Sequence, residues 1–145
     1  MLLLLPACTL VGPQTPLTPT PEIPSIQFQF PNNNAQVFIN TDLNIEIVAR
    51  DNTTGISRVE LYVGPLAEGE PLQTIQPVVA ESVPVFTVTA NWLARPVGTT
   101  SLTAVAYRAD GVRSDETTIL IDVIPRDDTT DPNTTSTPTR QPTPQ

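Results

Sequence analysis

The chain has 145 residues and a net charge of −8: fifteen acids face seven arginines, with no lysine, no histidine and one cysteine. That set excludes an imidazole general base, a Ser-His-Asp triad, histidine metal ligands, an internal disulfide and a thiolate zinc cage. Negative charge in excess repels phosphate backbones, which argues against a nucleic-acid partner.

Proline marks the boundaries. Of 17 prolines, six lie in residues 1–24 and five in 125–145, while all seven aromatics (Phe28, Phe30, Phe38, Tyr62, Phe86, Trp92 and Tyr107) lie between them. Proline fixes φ and removes a hydrogen-bond donor, whereas large aromatics supply buried area. The chain therefore divides into an apolar opening at 1–7, a Pro/Thr-rich linker at 8–24, a domain at 25–125 and a Thr/Pro-rich tail at 126–145. A domain of about 100 residues buries roughly two-thirds of its unfolded surface, enough for one core without disulfides.

Residues 1–12 carry no charge, and this stretch is too short to span a bilayer, which takes about 20 apolar residues. The order Leu5-Pro6-Ala7-Cys8 resembles the lipobox that ends a bacterial lipoprotein signal peptide: an aliphatic residue, two small residues and the cysteine that receives lipid. Pro6 stands where a small residue is usual. The resemblance implies lipid attachment at Cys8, a mature chain starting there, the membrane as a partner and an extracytoplasmic location. A complete signal peptide also has a basic n-region and an apolar run of about 7–15 residues, so this reading places the true start upstream of Met1. An ordinary free cysteine is a small buried hydrophobe, but a Pro/Thr tract offers Cys8 no core. A lipid with two or three acyl chains provides the multiple chains that stable anchoring requires.

The tracts at 13–24 and 132–145 are built of Pro and Thr with a few polar residues. Such composition favours disordered, extended polyproline II segments that act as spacers of about 3.1 Å per residue. The same composition also suits O-glycosylation or docking to SH3-like domains.

From Ser25 the apolar period becomes two, the signature of half-buried strands. Ile26, Phe28 and Phe30 form the first inward row, residues 31–34 break it, and 36–39 resume it briefly. Leu43, Ile45, Ile47 and Ala49 form the next row. After a turn cluster at 51–55 come Val59, Leu61 and Val63, and a Gly/Pro loop then leads to a short strand at 72–76. Phe86, Val88, Ala90 and Trp92 face one way, a turn follows at 95–98, and Leu102, Ala104 and Ala106 make another row before a last strand at Thr117–Ile124. No window carries an apolar stripe of helical period. Seven or eight short strands with regular turn signals predict an all-β sandwich or barrel of antiparallel strands.

Residues 48–63, 86–92, 98–111 and 119–123, with the opening Pro31-Asn32-Asn33-Asn34-Ala35-Gln36-Val37-Phe38, resemble the bacterial Ig-like domains of cell-surface and secreted proteins. The resemblance covers roughly 25–125 and implies an immunoglobulin-like β-sandwich. Asn34 stands where that opening usually has glycine. The Cys pair of antibody domains is absent, so packing alone must hold the two sheets, with Ala104 and Ala106 leaving room for Trp92. Domains of this type serve as spacers, adhesins and carbohydrate-contacting accessories, so fold alone does not choose among these roles.

Site candidates follow from placing residues on that sandwich. Its loops after the second and sixth strands share one end, which brings Asp51 and Asn52 near Asp110, with Asp115 beside them. Oxygen-rich loops of this kind bind calcium through six to eight ligands, yet turns favour Asp and Asn for their own hydrogen bonds. No DxDxDG spacing is present, so Asp51, Asn52 and Asp110 are calcium candidates only, and no cofactor is assigned. Asp127, Asp128 and Asp131 read as solvated charge in the tail. Glu46 and Glu60 are the remaining acid–base candidates, but both lie on outward rows, and a domain this small builds no pocket beside its core, so the chain is read as non-catalytic. Tyr62 and Tyr107, alternating with Arg58, Glu60 and Arg108, are a candidate contact face, the alternative being that the rings only cover the sheet. The resulting reading is a lipid-anchored structural or protein-interaction module. Its alternative is a carbohydrate-contacting accessory module working through Tyr62 and Tyr107.

Overall fold

The computed structural model describes residues 22–65 and 69–126. Residues 1–7, expected as a signal-peptide remnant, Cys8, most of the expected linker at 8–24, and the expected tail beyond residue 126 with Asp127, Asp128 and Asp131, lie outside the described residues. Eight strands follow in order: β1 (Ser25–Phe30), β2 (Ala35–Phe38), β3 (Asp42–Arg50), β4 (Arg58–Val63), β5 (Gln73–Ile75), β6 (Val85–Leu93), β7 (Gly98–Tyr107) and β8 (Thr117–Ile124). They form two sheets, a three-stranded one ordered β1-β3-β6 and a five-stranded one ordered β2-β8-β7-β4-β5. The architecture is a two-sheet β-sandwich, one of the two forms that the strand spacing predicts and the one that the resemblance to Ig-like domains implies.

Period-two alternation puts one side of each strand between the sheets. Ile45, Ile47 and Ala49 from β3 are fully buried, as are Val59 and Leu61 from β4 and Leu102, Ala104 and Ala106 from β7. Trp92 is 6% exposed and joins the same cluster, opposite Leu43. A large buried indole helps a sandwich without a disulfide fill its width at interior density.

Three expectations are corrected. The sheets are not wholly antiparallel, because β2 pairs parallel with β8, Ala35 opposite Ile121 through Phe38 opposite Ile124. Residues 31–34 carry the chain from one sheet to the other without reversing it, so β2 keeps the direction of β1 and meets β8 running the same way. Asn34 turns that corner at φ 64°, a left-handed conformation that asparagine tolerates better than most residues. Phe30 is exposed rather than inward, since the β1–β3 register shifts between Phe28 and Phe30. Val63 is exposed too: β5 covers β4 only from Val59 to Leu61, leaving the end of β4 uncovered.

The two ends of the sandwich are distinct. Ser25 pairs with Arg50, and Val85 pairs with the same residue, so the chain entrance and loops 51–57, 76–84 and 108–116 gather at one pole. The opposite pole holds the exit after Ile124, which pairs with Phe38. Packing begins ahead of β1, for Pro24 is fully buried.

Candidate functional site

At the entrance pole, Asp51 follows the last residue of β3 and turns the chain. Its carboxylate accepts from the Thr53 hydroxyl at 2.9 Å, the Thr54 N–H at 2.9 Å and the Gly55 N–H at 2.7 Å. Arg108, arriving from the loop after β7, donates through Nη2 to the other Asp51 oxygen and to the backbone carbonyl of Glu22. The Asp51 side chain is fully buried and the Arg108 side chain is 10% exposed. The Arg108 guanidinium, helped by the Thr53, Gly55 and Thr54 donors, holds the Asp51 carboxyl well below the usual carboxylate range despite burial. Arg108 is pushed up in turn by its bond to Asp51.

This geometry gives the calcium candidates other roles. Both Asp51 oxygens are already filled by an arginine and three turn donors, so Asp51 is a loop clamp, and a cation there would meet a buried guanidinium. Asn52 points elsewhere, donating to the Glu22 carboxylate at 3.3 Å. Asp110 caps its own turn by accepting from the Val112 N–H at 3.0 Å. Among the described residues no group of three or more acidic or cysteine side chains is placed to hold a metal. Arg108 was legible only as a surface residue of the tyrosine face. A buried partner for Asp51 some 57 positions away leaves no periodic trace in sequence.

The tyrosine face lies on the outer side of the five-stranded sheet. Glu60 is its hub, accepting from Arg58 Nε at 2.8 Å and from the Tyr62 hydroxyl at 2.7 Å. The Arg58 guanidinium lies 3.8 Å from the centroid of the Tyr107 ring, a cation–π contact. Burial raises the Glu60 carboxyl, but bonds from Arg58, Tyr62 and Tyr107 outweigh it and leave the group below its ordinary value. Burial and the bond to Glu60 push Tyr62 up to about 12. Burial and the Glu60 charge raise Tyr107 as well.

The structure brings Tyr62 and Tyr107 together, but not as an open platform. Tyr62 is 7% exposed, and Tyr107 is half-buried beneath Arg58. The outer face has a small apolar patch of its own: Val105, opposite Glu60, is fully buried although it points away from the core. Here the tyrosines cover the sheet, so no bare ring is left on which a sugar can stack. Glu46 and Glu60 sit on the outer faces of opposite sheets, which are about 10 Å apart before side chains are added, so they cannot act on one bond. A groove of about 540 Å³ opens at the entrance pole between Arg58 and the loop at 76–81, and its rim carries Val78 and Val79 almost wholly exposed. No helix among the described residues is long and apolar enough to cross a membrane.

Comparison with known proteins agrees with this architecture. No curated protein matches the sequence. Among solved structures, the fibronectin(III)-like modules of Clostridium thermocellum CbhA superpose with a TM-score of 0.55 at 24% identity, over 70% of this chain and 98% of that one. The SrpA adhesin of Streptococcus sanguinis gives a TM-score of 0.49 at 15% identity, over 72% of this chain and 56% of that one. The endo-beta-1,4-mannanase of Thermotoga petrophila gives 0.49 at 9% identity, over 72% and 20%. A family model for the bacterial Ig domain matches residues 24–104, more than half of the sequence. The chain belongs to the bacterial Ig domain family.

Proposed function

We propose that the chain is a non-catalytic extracytoplasmic module, held at the cell surface by lipid on Cys8 and acting there as a structural or protein-interaction element. The observation that carries the reading is the opposition of entrance and exit. Glu22 enters beside Asp51 and Arg108, while Ile124 leaves at the far pole beside Phe38. The ten residues of β7 make the long dimension of the sandwich about 30 Å. A domain entered at one end and left at the other adds its full length to a tether, and the Pro/Thr linker extends the tether by about 3.1 Å per residue. Membership of the bacterial Ig family supports a non-enzymatic role, as do the separated Glu46 and Glu60 and the filled carboxylate of Asp51.

Detergent partition of the protein expressed in a bacterium from its complete reading frame tests the proposal. The wild type should enter the detergent phase, take up labelled palmitate and expose a tag after Gln145 to antibody on intact or outer-membrane-permeabilised cells. Cys8→Ala should be released to the aqueous phase. Equal partition of both proteins, or a tag reached only after lysis of the cytoplasmic membrane, would overturn it.

A further inference from the structure

Strand β6 is a sheet edge of unusual character. The other free edges are blunted: β5 has three residues, β2 has four, and β1 is broken by a register shift between Phe28 and Phe30 and bounded by Pro24 and Pro31. Nine-residue β6 has no charge, no proline and no glycine, and it pairs with β3 without interruption from Val85 opposite Arg50 to Leu93 opposite Asp42. Natural edges of this length usually carry a lysine, a proline or a bulge that keeps other strands away.

The hydrogen-bond phase of β6 follows from its two ends. The Asp51 N–H donates to the Pro84 carbonyl at 2.9 Å and the Ala94 N–H donates to the Thr41 carbonyl at 2.9 Å. In an antiparallel ladder, bonded and non-bonded pairs alternate, so Phe86, Val88, Ala90 and Trp92 bond to β3. Val85, Thr87, Thr89, Asn91 and Leu93 therefore turn their N–H and C=O groups outward. All five also have exposed side chains, and no backbone bond to those groups is made among the described residues.

We infer that β6 is a homophilic edge, which pairs antiparallel with β6 of a second copy of this chain about a two-fold axis at Thr89. The strand is self-complementary about that residue. Thr89 meets Thr89 of the other copy, Thr87 meets Asn91, and exposed Val85 meets exposed Leu93. Like pairs with like, and cross-strand Thr pairs and apolar pairs each favour association. In this register every outward N–H and C=O finds a partner, because all five outward residues fall in bonded pairs. A shift of one residue faces these groups with inward-bonded ones and satisfies none. The isologous contact closes as a dimer and leaves no new edge at the joint. It joins the two three-stranded sheets into one of six strands. The pairing stands without the anchor, but on the anchored reading it has a consequence: the entrance poles of the two copies point in opposite directions, as they would on two facing surfaces.

The test is sedimentation velocity on the full chain carrying Cys8→Ser, over a range of concentrations. The dimer fraction should rise with concentration and with salt, which screens repulsion between two negatively charged copies. Thr89→Pro removes only an outward N–H, a position where edge strands accept proline, and should weaken the dimer about tenfold or more with little change in monomer unfolding. Thr89→Lys sets like charges directly opposite and should do the same while keeping the N–H. Thr89→Cys should form an intermolecular disulfide under mild oxidation, as bonded pairs lie about 5.5 Å apart at Cα. Gln27→Cys, on the far edge, should not. A protein that stays monomeric up to about 1 mM would overturn the inference. So would dimerisation of Thr89→Lys as tight as that of the parent, or equal crosslinking at Gln27 and Thr89.

Discussion

Asp51 and Arg108, 57 positions apart, form an ion pair that fastens the loop after β3 to the loop after β7 and, through the Glu22 carbonyl, to the incoming chain. The pair fixes three segments at one pole of a sandwich that has no disulfide. Removing one member of such a pair strands the other, buried and uncompensated, which costs about 3–5 kcal/mol. A domain of ordinary stability holds only about 5–15 kcal/mol, so Asp51→Ala should lower the urea midpoint by a large fraction of its value.

The same pair sets an acid limit. The Asp51 carboxyl titrates lower when folded than its ordinary value of 3.8, mainly because of Arg108. A depressed folded value means that its contribution is complete above the unfolded value and drains away as the pH falls below about 4. Stability measured by urea unfolding should therefore drop steeply in acid. Asp51→Asn should start lower at neutral pH and show a flatter acid slope; parallel curves for the two proteins would refute the assignment.

At the alkaline end the tyrosines take over. Tyr62 is raised to about 12 by burial and its bond to Glu60, and Tyr107 is raised by burial and the Glu60 charge. Their contribution is present below the ordinary value of 10.0 and is lost as the pH rises through the folded values. Absorbance at the phenolate band should show no tyrosine with a normal midpoint in the native protein. In Glu60→Gln both midpoints should move down, since the charge that opposes ionisation is gone. A normal Tyr62 midpoint in the wild type would mean an exposed ring and would reopen the sugar-platform reading.

Trp92 tests the core. It is 6% exposed, lies opposite Leu43 and belongs to a buried cluster that spans both sheets. Truncation to alanine leaves a void in that cluster, at a cost of about 3–5 kcal/mol. The expected result is a large fall in thermal midpoint together with a red-shifted emission in the parent on unfolding; an unchanged midpoint would place Trp92 at the surface.

Gly55 is a backbone requirement. Its φ is +83°, and a Cβ there would lie 2.9 Å from the Val83 carbonyl carbon. That approach lets Ile56 bridge to Val83 and bury its side chain completely. Gly55→Ala must strain the turn and push the two chains apart, for about 1–3 kcal/mol. Gly111, at φ +89° with open space around its Cβ position, should lose less on the same substitution, and the difference in thermal midpoint measures the contact with Val83.

Sequence by itself determined the class of this protein. Alternation at Leu43–Ile45–Ile47, at Val59–Leu61 and at Leu102–Ala104–Ala106 fixed strands and their inward faces, because period two has one physical cause. Proline density set the expected bounds of the domain. Only the tertiary structure decided what the polar residues do. Asp51 read as a calcium candidate until Arg108 was folded against it, and Tyr62 read as part of a contact face until it lay down over the outer sheet beside Glu60. The parallel β2–β8 pair and the free edge of β6 were equally hidden. Periodicity reports which side of a strand meets the core, and that is local. Which charge finds which partner, and which strand is left without a neighbour, depend on contacts between segments that the chain order does not encode in any short window.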